Sequence, residues 1–263
     1  MSFNLIFILS LIQGITEFLP VSSSGHLIVL PLVYGEFYQG RIFDVALHFG
    51  SLLAVLLYLR DDLLSIIKDC LHPKRNKTST MKLLTNLLIA TTPVIICGYF
   101  LNFFRVNFID IIQIVGWTTL IFGIILGISD KVSIRKEKVP NLRDSFIIGI
   151  FQSFALIPGV SRSGIVISAG RFLGYSRHEA SKFSLFLSIP VILAAMILIL
   201  QDRVLQEEEK YVVDLIIGIV VSFIFSFYAI NFFMKYIQKA SLIVFVYYRI
   251  ILGILLLIYA YNS

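Results

Sequence analysis

The chain has 263 residues, 58% of them hydrophobic and 14% charged, with a mean hydropathy of +0.90. That composition excludes an ordinary water-soluble enzyme and, at about 20 residues per crossing, leaves room for about six to eight membrane spans in one integral membrane domain, 1–263. A formal charge of +6 does not point to nucleic acid, because the 22 Lys and Arg stand in short clusters between apolar runs, as orienting loop charges do.

The first twenty residues carry no basic region and no small-residue cleavage site, so they read as part of the mature chain. The first apolar stretch, 3–34, is interrupted by Leu19-Pro20-Val21-Ser22-Ser23-Ser24-Gly25 and cannot be one helix. Crossings are expected at 45–59, 83–101 and 111–129. A second interrupted stretch, 145–174, carries Ile157-Pro158-Gly159-Val160-Ser161-Arg162-Ser163-Gly164, and three more crossings follow at 183–201, 215–234 and 240–261. Cys97 falls in a span and Cys70 in a basic loop, which gives neither disulfide nor metal spacing.

Lys and Arg concentrate in loops 61–82 (Lys74, Arg75, Lys77), 130–143 and 235–239. Loop 102–107 has only Arg105, and 202–210 is acidic, with Glu207-Glu208-Glu209 as a solvated segment. The positive-inside bias therefore alternates over six crossings and puts both termini outside, provided each interrupted stretch returns to the side it came from. The expected fold is an all-α polytopic membrane protein of six transmembrane helices plus two re-entrant helix-turn-helix hairpins.

Gln13, Val21, Ser22, Ser24 and Gly25 recur 139 positions later as Gln152, Val160, Ser161, Ser163 and Gly164. The chain reads as a duplication, repeat 1 about 1–130 and repeat 2 about 140–263. Three crossings per half make the second copy inverted, with the two hairpin tips facing each other near the midplane.

Glu17, Ser22, Ser23, Ser24 and His26 lie within ten residues of one another, and Ser161, Arg162 and Ser163 occupy the second break. Ionisable groups at membrane depth are costly and mark function by default. A purely structural reading also accounts for them: Ser and Gly allow close helix approach, and Glu17 pairs with Arg162. The functional reading is an anion site. Each break precedes a helix N-terminus, where Ser22, Ser24, Gly25, Ser161, Ser163 and Gly164 offer N–H groups and hydroxyls, and Arg162 is suited to bidentate phosphate contact. His26 is placed to exchange a proton with Ser23 or to attack phosphorus itself, and Glu17 to orient His26 or hold a divalent cation.

Gln13-Gly-Ile-Thr-Glu17-Phe-Leu-Pro-Val-Ser-Ser-Ser-Gly-His26 and Pro158-Gly-Val-Ser-Arg-Ser-Gly164 resemble the two signature motifs of the undecaprenyl pyrophosphate phosphatase family of the bacitracin-resistance type. The resemblance extends through Phe43-Asp44, His48-Phe49-Gly50-Ser51, Phe183 to Pro190 and Tyr248-Arg249, and so over essentially the whole chain. It implies a bacterial inner-membrane hydrolase that converts undecaprenyl diphosphate to undecaprenyl phosphate and inorganic phosphate, recycling the lipid carrier for peptidoglycan. It further implies Glu17, Ser23, His26 and Arg162 as catalytic positions, a site open to the exterior, and a divalent cation, Mg2+ or Ca2+. Ser23 is favoured as nucleophile with His26 as its proton partner. Many family members carry a second Glu where this chain has Gln13, so Gln13 is carried over only as a weak metal ligand beside Glu17.

Arg249, inside the last span, needs a partner, which Asp44 or Asp110 can supply. His48 reads as a hydrogen-bonded core residue rather than a ligand. The acid-phosphatase-like lipid phosphatases share Ser-Gly-His, but the residue six beyond Arg162 is Ser168 rather than the histidine they require. Expected partners are a polyprenyl diphosphate lipid and the bilayer, with a lateral opening for the lipid tail; a homodimer stays open. The alternative function is a lipid-phosphate flippase using the same phosphate site.

Overall fold

The computed structural model describes residues 3–33, 39–71, 77–103, 111–134, 140–201 and 212–262. Every element among them is helical: α1 (Phe3–Thr16), α2 (Ser23–Val33), α3 (Arg41–Tyr58), α4 (Arg60–Leu71), α5 (Lys77–Phe103), α6 (Ile111–Asp130), α7 (Leu142–Ser153), a 3-10 turn (Phe154–Leu156), α8 (Arg162–Phe172), α9 (Arg177–Gln201), α10 (Val212–Lys239) and α11 (Ile243–Asn262). Six of these, α3, α5, α6, α9, α10 and α11, are long and apolar enough to cross a membrane, and they coincide with the six expected crossings to within a few residues at the ends. The protein is a multi-pass membrane protein. The remaining apolar helices come in pairs, α1 with α2 and α7 with α8. At about 1.5 Å per residue, none of the four reaches the roughly 30 Å of a hydrocarbon core.

One element departs from expectation. Residues 61–82 read as a basic loop, yet α4 fills its first part, with Asp61 and Asp62 in its first turn and Lys68 in its last, the order the helix dipole favours. None of its residues is buried; Leu63 and Ile66 touch the core while Leu64, Ile67 and Leu71 face outward. Apolar residues at this spacing with charges between them suit a helix lying at a membrane surface. The Lys74, Arg75, Arg105, Asp110 and Glu207-Glu208-Glu209 positions lie outside the described residues.

Small residues set the tightest packing. α10 lies against both α1 and α3 along Gly218, Ser222 and Ser226. Ser222 Oγ donates to Leu47 O at 2.7 Å, and Ser226 Oγ to Ser51 Oγ at 2.9 Å. Gly14 of α1 sits so close to α10 that a Cβ there would stand 2.8 Å from Ser222 O. This is how helices associate where no hydrophobic gain is available between them. The second pair is held likewise: α7 packs on α5, and α8 on α9 and α6.

At one end of the bundle Arg177 holds Asp130 through two hydrogen bonds of 2.5 and 3.0 Å, while Arg171 donates to the carbonyls of Tyr175, Asp130 and Val132. This ties the ends of α6, α8 and α9 together. Beside it, burial and the hydrogen bond to Asp144 push the Tyr175 phenol well above its usual range, so it stays a neutral donor.

Candidate functional site

The two interrupted stretches end as matching turns. Ser22 and Ser161 both adopt left-handed backbone, with φ 73° and 71°, a costly conformation for a residue with a side chain. Each then caps the helix that follows: Ser22 Oγ accepts from Gly25 N at 3.4 Å and Ser161 Oγ from Gly164 N at 3.2 Å. Within each turn the serine hydroxyls also meet, Ser22 with Ser24 at 3.4 Å and Ser161 with Ser163 at 3.2 Å. Gln13 and Gln152 are fully buried, and each leaves Oε1 without a partner.

The turns are locked to one another and to their neighbours. Ser163 Oγ donates to Leu19 O at 2.8 Å, and Thr118 Oγ1 of α6 to Pro158 O at 2.6 Å. Arg249, fully buried, reaches Pro20 O at 3.4 Å in the first turn, Gly159 O and Val160 O at 3.0 Å in the second, and Thr119 O and Thr118 O of α6 at 3.2 and 3.5 Å. Five carbonyl oxygens serve its guanidinium, a fork of donors that suits several acceptors at once. The expected partner Asp44 is not among them, because Asp44 Oδ1 accepts from Gln39 at 2.6 Å.

Glu17 and Arg162 meet between the turns. Arg162 donates to Glu17 Oε1 at 2.9 Å and to Ser184 O at 3.1 Å, and its guanidinium lies 5.8 Å from the Phe18 ring centre. Glu17 Oε2 accepts from Ser23 Oγ at 2.6 Å and from Gln13 Nε2 at 3.0 Å, with His48 Nε2 at 3.6 Å. The Ser23 hydroxyl therefore donates to a carboxylate in a short charge-assisted bond.

These groups line a cavity of about 290 Å³, walled by Glu17, Ser22, Ser23, Ser24, Ser161 and Arg162 with Asp44 and His48 on one side. Its remaining wall is apolar, made by Val45 of α3, Ala155 and Leu156 of the 3-10 turn, Val94 of α5 and Val191, Ile192, Ala195, Met196 and Ile199 of α9. A separate apolar hollow of about 460 Å³ lies on the outer side of α5 and α9, lined by Ile95, Ile96, Tyr99, Phe100, Ala194, Ile197 and Leu198. The polar groups thus face an apolar wall to which α5 and α9 both contribute.

Three expectations change. His26, read as the proton partner of Ser23, does not line this cavity. Its Nδ1 stands 2.6 Å from Ser22 O and its Nε2 2.6 Å from Tyr248 Oη, while Ser23 is bound to Glu17. His48, read as core, does line the cavity, with Nδ1 donating to Asp44 O at 2.7 Å. Gly25, Ser163 and Gly164 lie behind the lining: Ser163 is spent on Leu19, and a Cβ at Gly164 would meet Arg249 Nη1 at 3.1 Å. Tyr248 and Ser184 fell within the stretches of family resemblance, but nothing in the sequence paired them with His26 and Arg162, which they meet from other helices.

A resident cation finds few donors here. Among the described residues no three His, Cys, Asp or Glu come together, and Glu17 already accepts three hydrogen bonds. What remains is one acceptor position on Glu17, with the unbonded Gln13 Oε1 fully buried behind the cavity wall. That set does not form a cage; a cation here would have to be carried mainly by phosphate oxygens, as magnesium is carried by phosphate esters.

The family model described as bacitracin resistance protein BacA matches residues 6–255. Among relatives, the undecaprenyl-diphosphatase of Pelagibacter ubique is 44% identical over 98% of this chain and 97% of its own length. Those of Dinoroseobacter shibae and Jannaschia sp. are 42% and 41% identical, each over 99% of this chain and at least 99% of their own.

Proposed function

The chain belongs to the bacitracin resistance protein BacA family, and from that premise we propose that it is an undecaprenyl-diphosphatase, releasing inorganic phosphate from undecaprenyl diphosphate and so renewing the lipid carrier for cell-wall synthesis. The observation that carries the reading is the bridge between the turns: Ser23 Oγ 2.6 Å from Glu17 Oε2, with Arg162 2.9 Å from Oε1, at the polar end of a cavity with an apolar wall.

In this reading the diphosphate lies at the N-termini of α2 and α8, against Arg162, the hydroxyls of Ser22, Ser24 and Ser161, and free N–H groups of both first turns. The prenyl tail leaves sideways between α5 and α9. Glu17 takes the Ser23 proton as Oγ bonds to the terminal phosphorus and the bridging P–O bond breaks. The lipid phosphate departs with that proton. Water then attacks the phosphoserine phosphorus, giving one proton to the freed Glu17 carboxylate; the Oγ–P bond breaks, Glu17 returns that proton to Ser23 Oγ, and inorganic phosphate leaves with the enzyme restored. Arg162 neutralises charge on the phosphoryl oxygens in both steps. Glu17 would hold a divalent cation, Mg2+ or Ca2+, whose chemistry is to draw charge from the phosphate oxygens. His26 belongs to the same machinery through the turn it anchors rather than by contact with phosphate.

The finer architecture follows the same reading. The turns are the tips of two re-entrant hairpins, and the chain is an inverted repeat of about 1–130 and 140–263. Its support is the agreement of Ser22 with Ser161 and Gln13 with Gln152 in backbone, capping and burial, and the packing of α1 on α10 and of α7 on α5. Both termini and the cavity face the exterior, as the loop charges demand.

The test is phosphate release from undecaprenyl diphosphate by the purified protein in detergent, with and without chelator. We expect turnover that falls by orders of magnitude in Glu17→Gln, Ser23→Ala and Arg162→Ala. A folded wild type that releases no phosphate with defined substrate and cation would overturn the reading in favour of lipid-phosphate transport through the same site.

A further inference from the structure

His26 is held at both ring nitrogens. A carbonyl oxygen only accepts, so the 2.6 Å contact with Ser22 O puts the proton on Nδ1, and Nε2 is the acceptor of the Tyr248 hydroxyl at 2.6 Å. The two rings lie nearly parallel, 13° apart with centres 5.8 Å from each other. The line Ser22–His26–Tyr248 thus joins the left-handed residue of the first turn to α11.

Two further facts give that line a purpose. Tyr248 is followed by Arg249, which grips Pro20 O, so consecutive residues of α11 hold the first turn at Pro20 and, through His26, at Ser22. A conformation as strained as φ 73° persists only where its surroundings over-determine it, and the residue after Ser22 is Ser23, whose hydroxyl must meet Glu17. The second turn has no such strut: the position equivalent to His26 is Ile165, and the residue following Ser161 there is Arg162, whose long side chain reaches Glu17 without fine backbone placement.

We infer that Tyr248 is a positioning residue for the reaction, acting through His26 to hold Ser22 and so aim the Ser23 hydroxyl at Glu17. The kinetic side of this inference rests on the phosphatase reading; the structural side does not.

The experiment is nitrogen-15 NMR of histidine-labelled protein in detergent, the His26 signals assigned by their loss in His26→Gln, together with steady-state kinetics. In wild type His26 is expected as the single Nδ1–H tautomer, and Tyr248→Phe is expected to keep that tautomer, which Ser22 O fixes, while shifting the Nε2 resonance as its bond to the hydroxyl is lost. The same variant should lower kcat about ten- to a hundredfold, the scale for a partner that orients a functional imidazole, with KM changed less than about twofold. His26→Gln should lower kcat yet keep every ionisation of the wild-type pH profile. An unchanged Nε2 resonance in Tyr248→Phe, or an ionisation missing from the His26→Gln profile, overturns the inference, the latter by making the imidazole itself the proton carrier. Should wild type release no phosphate, the phosphatase reading fails while the Nε2 shift still decides on the strut.

Discussion

The two turns are built on one backbone plan and carry opposite chemistry. Ser22 and Ser161 share the same left-handed conformation and the same cap, but the first turn is preceded by Glu17 and followed by Ser23, where the second has Leu156 and Arg162. The acid and the hydroxyl thus come from one turn and the cation from the other, and the site exists only where they meet. The shared features make a pair of capped helix ends; the unshared ones place a hydroxyl, a carboxylate and a guanidinium between them, which the proposed reaction uses as nucleophile, base and counter-charge.

The sharpest way to break this division is to remove the members that are not shared. Glu17→Gln and Arg162→Ala should each lower phosphate release about a thousandfold, the scale for one preorganised charge at a phosphoryl centre. The double variant should fall little further than the worse single, since the two act as a unit. Independent, multiplying losses in that cycle would show two separate roles.

Next comes the clamp common to both turns. Arg249→Met removes the donors of five carbonyl oxygens and should destabilise the protein by about 2–4 kcal/mol, read as a lower unfolding midpoint in detergent. Gly159→Ala should cost about 2–3 kcal/mol by the same measurement, because φ is +90° there and a Cβ would meet Val115 O at 2.8 Å. Its counterpart in the first turn is Pro20, and Pro20→Ala is expected to cost less. The smallest effect tests the shared caps. Ser161→Ala should cost about 1 kcal/mol and Ser22→Ala somewhat less, following the shorter cap bond in the second turn, 3.2 against 3.4 Å. Equal or reversed losses would remove that distinction.

Much of this was legible in the residue order. Long charge-free runs marked four crossings and weaker apolar runs the other two, the last despite Arg249, and Pro, Gly and Ser marked both interruptions, because hydropathy and helix-breaking are local properties. α4 was missed since its charges mask Leu63, Leu64, Ile66, Ile67 and Leu71, whose helical spacing was the available signal. The pairing of Glu17 with Arg162 was anticipated as a structural reading. The true partners of His26 and Arg249 were not, because Tyr248 and the carbonyls of Gly159 and Val160 reach them across the fold. Carbonyls belong to every residue and leave no trace in a sequence; a buried arginine suggests a carboxylate only because carboxylates can be seen there.

The packing of α1 against α10, closed by Gly14 on Ser222, bears on how the molecule is made. α1 leaves the ribosome well before α10, its docking surface being synthesised about 200 residues later, which at 5–20 residues per second is about 10–40 s. Through that interval the helix carrying Gln13, together with Glu17 just beyond it, waits in the membrane without the wall it will rest on. Any factor that shields short, polar-ended helices during insertion would be needed here more than at α7, whose partner α5 is already in place when it emerges.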